Sequence, residues 1–142
     1  DGIPVHVVPH PLQAPKPSQK DRFDFGLPKT ALVVYMTFSM DANLTRKNPW
    51  CAIDAFKAAF GDDTRYRLVI KVRAANLQHP AFKELAAAVR SMQNAQLITS
   101  VLSAADNWAL LNCADIVICP SRAEGFGLVQ AEAMWLGKPL VC

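Results

Sequence analysis

The chain has 142 residues, of which 51% are hydrophobic and 19% charged, and its formal net charge is +3. This length and composition fit one globular domain with a sizeable core and exclude an intrinsically disordered chain. The apolar runs are too short to cross a bilayer, and the small positive charge predicts a solvated surface rather than a nucleic-acid-binding face.

The cysteines form no C-x-x-C pair and have no histidine at metal-ligand spacing, so neither a zinc site nor a redox motif is predicted. Free cysteines in apolar segments behave as small hydrophobes, which favours a reducing, cytoplasmic setting. The four cysteines are Cys51, Cys113, Cys119 and Cys142.

Because the chain begins at Asp1 and stops in a strand-like segment, we expect it to be part of a longer protein.

Apolar, β-branched runs alternate along the chain with segments of helical periodicity. Residues 4–8 are predicted to be extended, and the Pro-rich stretch 9–28 to be an ordered loop or linker. Further strands are predicted at 31–38, 67–72, 95–100, 115–119 and 139–142. Helices are predicted after the Asn48 N-cap, from Pro80, after the Ser103–Asp106 capping box and at 127–136. This alternation predicts an α/β fold with a Rossmann-like parallel sheet and flanking helices.

Ligands of such sheets bind beyond the carboxyl ends of the strands, and polar residues follow each predicted strand here. The segment EGFG at 124–127 stands in one of these loops and enters a helix. It is not a dinucleotide fingerprint, because Gln130 occupies the position that needs glycine or alanine. It also follows the fourth strand instead of the first, and the given sequence ends before an acidic residue about twenty positions further on could appear.

The two glycines in EGFG are costly for a helix start, at about 1 kcal/mol each relative to alanine, unless a ligand approaches the backbone there. The N–H groups of residues 125–128 and the positive end of the helix dipole suit a phosphate. Glu124 precedes this point and Glu132 lies about one and a half turns beyond it. Carboxylates bind diols, so a sugar on one side of a phosphate and a ribose on the other would explain these features.

The segment PSRAEGFGLVQAEAMWLGKPLV closely resembles the E-x7-E signature of GT-B glycosyltransferases of the GT4 type, the glycosyl transferases group 1. LLNCADIVICPS resembles the helix and strand before that signature, RKNPWCAIDAF the family's basic segment and first helix, and VPHPL the segment that enters the C-terminal domain. The resemblance implies the C-terminal, donor-binding half of a two-domain retaining enzyme. Residues 1–30 would then be an incoming strand and loop, and 31–142 a nucleotide-sugar-binding domain truncated at its C-terminal end.

Carried onto this chain, the resemblance implies that Glu124 contacts hydroxyls of the donor sugar and that Glu132 binds the ribose. It implies that Lys47 is the lysine of the diphosphate site. Ser100 and Val101 occupy the loop whose backbone reads the base. The backbone amides expected to hold the distal phosphate or the sugar are those of Gly125, Phe126, Gly127 and Leu128.

The chain departs from the family where many members carry an arginine after the first strand, because Ser39 and Met40 stand there. Arg46 is the candidate substitute. Lys71, late in the second strand, either supplies further positive charge or extends its ammonium to solvent as a strand-end lysine. Lys47 and Glu124 are the candidate catalytic residues.

Transfer from a nucleotide diphosphate leaves negative charge on the departing phosphate, and that charge must be stabilised. The chain has no Asp-x-Asp motif for a divalent metal, but it has lysine, arginine and a helix N-terminus. We therefore expect metal-independent transfer with no cofactor; retention of configuration is implied by the resemblance alone.

We expect the partners to be a UDP-, GDP- or similar sugar donor and an N-terminal acceptor-binding domain, with no nucleic acid. Membrane contact is expected only through parts outside this chain, at the cytoplasmic face. Two other functions remain open: a non-catalytic module that binds nucleotides or nucleotide sugars, and a related GT-B sugar-phosphate synthase.

Overall fold

The computed structural model describes residues 3–4, 6–8, 11–73 and 76–142. Within them, five parallel strands form one sheet, which confirms the predicted α/β class. The strands are β1 (Leu32–Ser39), β2 (Tyr66–Arg73), β3 (Ala95–Ile98), β4 (Ile116–Ile118) and β5 (Leu140–Val141). Their order across the sheet is β3-β2-β1-β4-β5.

Helices cover both faces of this sheet, so its strands are apolar on both sides. In β1, Val33 and Tyr35 face one core together with residues of the fourth and fifth helices. Val34 and Met36 face the other core, which the second and third helices cover. The helices of the described residues are α1 (Leu44–Lys47), α2 (Pro49–Phe60), α3 (Pro80–Arg90), α4 (Ala104–Asn112) and α5 (Leu128–Trp135).

The predicted helix starts are confirmed in position. The Ser103 hydroxyl accepts a hydrogen bond from the Asp106 N–H at 3.0 Å, and α2 and α3 each begin with a proline. The prediction for Asn48 is right in position but wrong in mechanism. Its backbone is left-handed (φ 53°), and its side chain makes no capping bond to α2. The physical reason is that Asn48 also ends α1, a helix that the sequence pattern does not predict.

The first predicted strand is absent where the structure can be described, because residues 4 and 6–8 are coil with no paired strand. The third strand ends at Ile98 instead of residue 100, where its pairing with β2 stops. Four residues of α1 are too few to show a helical apolar period. Parts of the predicted incoming strand and loop and of the segment after β2 lie outside the described residues, namely 1, 2, 5, 9, 10, 74 and 75.

The strand order reverses beside β1. From β1 the chain moves outward to β2 and then β3, and it next returns to the other side of β1 to form β4 and then β5. The connections that leave β1 and β4 therefore diverge, which opens a crevice at the carboxyl ends of these two strands. This is the position at which open α/β sheets bind ligands.

Arg22 attaches the segment before β1 to the rest of the domain. Its guanidinium donates to the Cys113 carbonyl at 3.0 and 3.1 Å, to the Ala31 carbonyl at 2.8 Å and to the Asp115 carboxylate at 2.6 Å. Asp115 also accepts the Val33 N–H, at 2.7 Å. One guanidinium thus joins the incoming chain, the start of β1 and the end of α4.

Arg22→Ala is expected to lower the free energy of unfolding by about 2–3 kcal/mol, because half-buried carbonyls and a carboxylate lose a charged donor. Urea denaturation followed by circular dichroism measures this change. Lys29→Ala, in the same segment with an exposed side chain, is the matched control and should stay within about 0.5 kcal/mol of the original chain. Equal stability of the two variants would contradict this role of Arg22.

Candidate functional site

A cavity of about 260 Å³ lies at the carboxyl ends of β1 and β4, beside the start of α5. It occupies the crevice where the strand order reverses. Its wall combines groups from β1, α1, the segment after β4 and α5. The polar and glycine residues that line it include Thr37, Lys47, Ser121, Glu124, Gly127 and Gln130.

A second cavity, of about 450 Å³, adjoins the first along the ends of β1 and β2. The two share Thr37, Lys47 and Val129 in their walls, so they form one continuous depression. Four cationic side chains line the second cavity: Arg46, Lys47, Lys71 and Arg73. Such a concentration of positive charge around a concave surface favours an anionic ligand.

Glu124 is held by two of these cations. The Lys47 ammonium donates to one carboxylate oxygen at 2.5 Å, and the Arg46 guanidinium donates to the other at 3.0 Å. Burial raises the pKa of Glu124, but hydrogen bonds from Lys47, Ser121 and Arg46 and the charge of Lys47 outweigh it, and the pKa is lowered overall. Glu124 is therefore a carboxylate throughout the physiological pH range.

The two glycines of EGFG differ in backbone conformation and in the space available for a side chain. Gly127 has φ +76°, a left-handed conformation that L side chains rarely adopt, and an added Cβ would lie 3.1 Å from the Gln130 side-chain oxygen. Gly125 has no such conformation and no atom within 4 Å of an added Cβ. Gly127 is thus needed for the turn into α5, whereas Gly125 has open space beside its backbone and does not line the cavity. Phe126 and Leu128 line the cavity together with Gly127.

Lys71 faces the second cavity, as the prediction of further positive charge requires. It is only 5% exposed, so it does not extend to open solvent, and burial lowers the pKa of its ammonium. It stands opposite Thr37 in the register of β1 and β2. The hydrogen bond described for it is a donation to the Val72 carbonyl at 3.3 Å.

Glu132 does not line either of these two cavities. It lies half-buried on α5, and burial raises the pKa of its carboxyl group. The pKa of Tyr35, a buried residue of β1, is raised first by burial and further by the charge of Glu132, although a hydrogen bond with Thr37 opposes this rise. The second glutamate of the signature is therefore near enough to this buried tyrosine to affect its pKa, and it lies outside the lining of the two cavities.

The two residues of the predicted base-reading loop separate. Val101 is 95% exposed and lines the second cavity, whereas Ser100 lines a different one beside Lys20 and Gln96. The structure thus gathers most of the predicted residues around one depression but leaves Ser100, Gly125 and Glu132 outside its lining.

Several lining residues were not predicted as part of the site, among them Arg73, Thr37 and Asn107. Arg73 ends β2 and pairs with Asp41 at 3.3 Å. Its position after a strand could have identified it as a site residue. Thr37 is a polar residue inside an apolar run, and this pattern could also have indicated a site residue. Asn107 lies in the first turn of α4, and nothing in the sequence around it indicates that it lines the cavity.

Cys119 lies in the wall of the first cavity, but its thiol is not a candidate nucleophile. Burial, followed by the charges of Cys142 and Glu124, raises its pKa to about 11, and the attraction of Lys47 does not offset this. The thiolate is the reactive form of cysteine, and little of it is present near neutral pH.

The sequence of this chain matches one family of known proteins. A family model described as glycosyl transferases group 1 matches residues 18–142. The chain belongs to this family. A search of curated protein sequences gives no match.

Solved structures extend the likeness to the fold of group 1 glycosyl transferases. WaaG, a glycosyltransferase involved in lipopolysaccharide biosynthesis, is 21% identical with a TM-score of 0.59 over 84% of this chain and 30% of WaaG. Anabaena HepE, solved in complex with UDP and glucose, is 22% identical with a TM-score of 0.66 over 84% of this chain and 31% of HepE. The C-terminal domain of LpcC from Francisella tularensis is 21% identical with a TM-score of 0.69 over 88% of this chain and 65% of that structure.

These structures confirm the predicted fold, the C-terminal half of a GT-B glycosyltransferase, and show that this group 1 chain spans 30–31% of the first two proteins. No helix among the described residues is both long enough and apolar enough to cross a membrane. In that same part of the chain, no three histidine, cysteine or acidic residues cluster in a way that could hold a metal ion.

Glu132→Gln is expected to raise the free energy of unfolding at pH 7. The pKa of Glu132 is raised by burial, so the folded state disfavours its charge as the pH rises through that pKa. Below the ordinary glutamate pKa of 4.5 the carboxyl is protonated in both states, and the gain should disappear. Urea denaturation at pH 7 and pH 4 measures both differences.

Glu84→Gln, at an exposed position of α3, is the matched control and should leave the stability unchanged at both pH values. If Glu132→Gln were less stable than the original chain at pH 7, the carboxylate would have a stabilising partner and the interpretation would be wrong.

Proposed function

We propose that this chain is the donor-binding half of a retaining, metal-independent glycosyltransferase of the GT4 type. It would transfer a hexosyl-type sugar from a nucleotide-diphosphate donor to an acceptor in polysaccharide or glycoconjugate synthesis. The observation that carries the proposal is the pairing of Glu124 with Arg46 and Lys47 in a cavity at the reversal of strand order, below the glycine-containing start of α5.

The charge balance of the cavity supports a diphosphate ligand. Glu124 neutralises one of the two cations that contact it, and buried Lys71 has no carboxylate among its described partners. A diphosphate would take over the ammonium of Lys47 and the guanidinium of Arg46. The Glu124 oxygens released in this way would then accept hydrogen bonds from the sugar hydroxyls.

The remaining donor contacts follow from the geometry around this point. Phe126, Gly127 and Leu128 line the cavity beside Glu124, and the N–H groups of residues 125–128 would hold the distal phosphate. Val101, exposed at the mouth of the second cavity, supports a base-binding position there, and Ser100, which lines a different cavity, would contribute to it only through its backbone. Glu132 would reach the ribose only by turning its carboxylate towards the cavity, a movement that its unfavourable burial assists.

In the transfer, the bond between the anomeric carbon and the diphosphate oxygen breaks, and its electron pair leaves with the diphosphate. Lys47, Arg46 and the start of α5 would stabilise the resulting negative charge, which is the task that a divalent metal performs in other transferases. With cations already in place, and no Asp-x-Asp motif in the sequence, the proposal needs no metal ion or cofactor.

The acceptor site would lie on another part of the protein. Because the chain spans less than a third of WaaG and HepE, we propose an N-terminal acceptor-binding domain as its partner and expect the chain alone to bind donor without transferring it. We further propose a cytoplasmic location, with any contact at the membrane face made outside this chain.

The donor-binding proposal predicts that the chain binds UDP or GDP in the presence of EDTA, measured by titration calorimetry. Lys47→Met should weaken this binding by about 10- to 100-fold, because one charge-assisted hydrogen bond to phosphate is lost. Lys57→Met, exposed at the end of α2, is the matched control and should bind as the original chain does. Binding of neither nucleotide, or tighter binding of NAD, would contradict the proposal.

In the longer enzyme that contains this chain, Glu124→Ala is expected to abolish sugar transfer, because the donor sugar loses its carboxylate partner. Transfer by the unsubstituted enzyme should withstand EDTA and should retain the anomeric configuration of the donor. Proton NMR of the product measures the rate and the configuration together. Normal transfer by the variant, loss of activity in EDTA, or an inverted product would each contradict the corresponding part of the proposal.

A further inference from the structure

Arg46 and Lys47, the two cations that bind Glu124, belong to a short helix that packs little against the core. Helix α1 contains four residues, and none of them is buried. A helix this short is not stable by itself, and its contact with the core is made by Leu44, a half-buried residue at its first position. This contact leaves the later residues Arg46 and Lys47 to be held against Glu124 by other interactions.

Four hydrogen bonds join residues 45–48 to residues 120–123, the segment that follows β4. The Arg122 N–H donates to the Arg46 carbonyl at 2.8 Å, and the Arg122 Nε–H donates to the Thr45 carbonyl at 3.1 Å. The Asn48 amide donates to the Pro120 carbonyl at 3.3 Å, and the Arg46 guanidinium donates to the Ala123 carbonyl at 2.9 Å.

We propose that Asn48 and Arg122 are positioning residues, whose side chains hold α1 against the segment after β4 so that Lys47 and Glu124 form one preorganised unit. This geometric role concerns the free protein; its consequence for donor binding rests on the proposed function. A cation fixed in this way would bind a diphosphate with a smaller loss of side-chain conformational entropy.

The conformation of Asn48 supports this role. It is the one non-glycine residue with positive φ among the described residues, and glycine would adopt that conformation more easily. The usual reason for asparagine at a helix start is capping, but its side chain makes no cap bond here. The contact that its amide does make is the one to Pro120, between α1 and the segment after β4.

The contacts of Arg122 agree with the same role. Its side chain is turned towards the Thr45 carbonyl, and it does not line either of the two cavities. A guanidinium presents its Nε–H in a rigid plane, which the flexible ammonium of lysine does not reproduce. Arg122→Lys therefore removes the geometry of the contact while it keeps the charge.

The test uses two variants that preserve charge, Asn48→Gly and Arg122→Lys, with Arg65→Lys as a control, since the side chain of Arg65 pairs with Asp63. The first measurement is the pKa of Glu124, followed by carbon-13 NMR of its carboxyl group. Because hydrogen bonding from Lys47 lowers that pKa, a loosened α1 should raise it in both variants and leave it unchanged in the control. An unchanged value in both variants would overturn the proposal.

The second measurement is calorimetric binding of UDP and GDP, expected to weaken by about three- to tenfold in each variant. Weaker binding by Arg122→Lys with an unchanged pKa of Glu124 would mean that Arg122 contacts phosphate itself, which would overturn the positioning role. If the original chain binds neither nucleotide but the pKa still rises in the variants, the positioning role stands and the donor-binding proposal fails.

Thermal unfolding separates these effects from general damage. Glycine adopts the backbone of Asn48 without strain, and Arg122 is exposed, so both variants should remain folded. If one of them unfolds, the other decides the question, because each removes a different hydrogen bond of the same contact.

Discussion

The reversal of strand order between β1 and β4 is the constraint on which the candidate site depends. Residues 46–47 and residue 124 are far apart in the sequence, yet each follows one of the two strands that lie side by side at this point. The connections diverge on leaving the sheet, so a crevice forms whatever side chains line it. The chemistry of the site is then decided by which charges the loops bring to that crevice.

Those charges are arranged so that the free protein partly neutralises itself. One carboxylate meets two cations at the mouth of the first cavity, while a buried ammonium in the second has a backbone carbonyl as its described partner. An anionic ligand would therefore exchange partners within an existing network instead of meeting isolated charges. The cations would be paired with a negative charge both in the free protein and in the complex with the ligand. They would therefore depend less on solvation by water in either state.

The sequence predicts the sheet and the helix starts because the signals are local: apolar runs such as 31–38, prolines at helix starts, and the Ser103 cap. The position of Lys47 beside Glu124 came from the likeness to a family, since no local signal joins residues so distant. The left-handed backbone of Asn48 could not be predicted, because the Asn-Pro pair has a complete explanation as an N-cap. The separation of Ser100 from Val101 depends on where the pairing of β3 stops, and apolar periodicity does not determine that point.

Lys71 has a consequence for how sequences of this kind vary. A cation that is 5% exposed and whose charge is disfavoured by burial lowers the stability of the fold, so an uncharged replacement of similar shape would make the domain more stable. Selection for stability alone would remove this lysine, and selection for binding an anion would keep it. Position 71 is thus a place where these two pressures oppose each other, and the residue found there in a given lineage reports which of them is stronger.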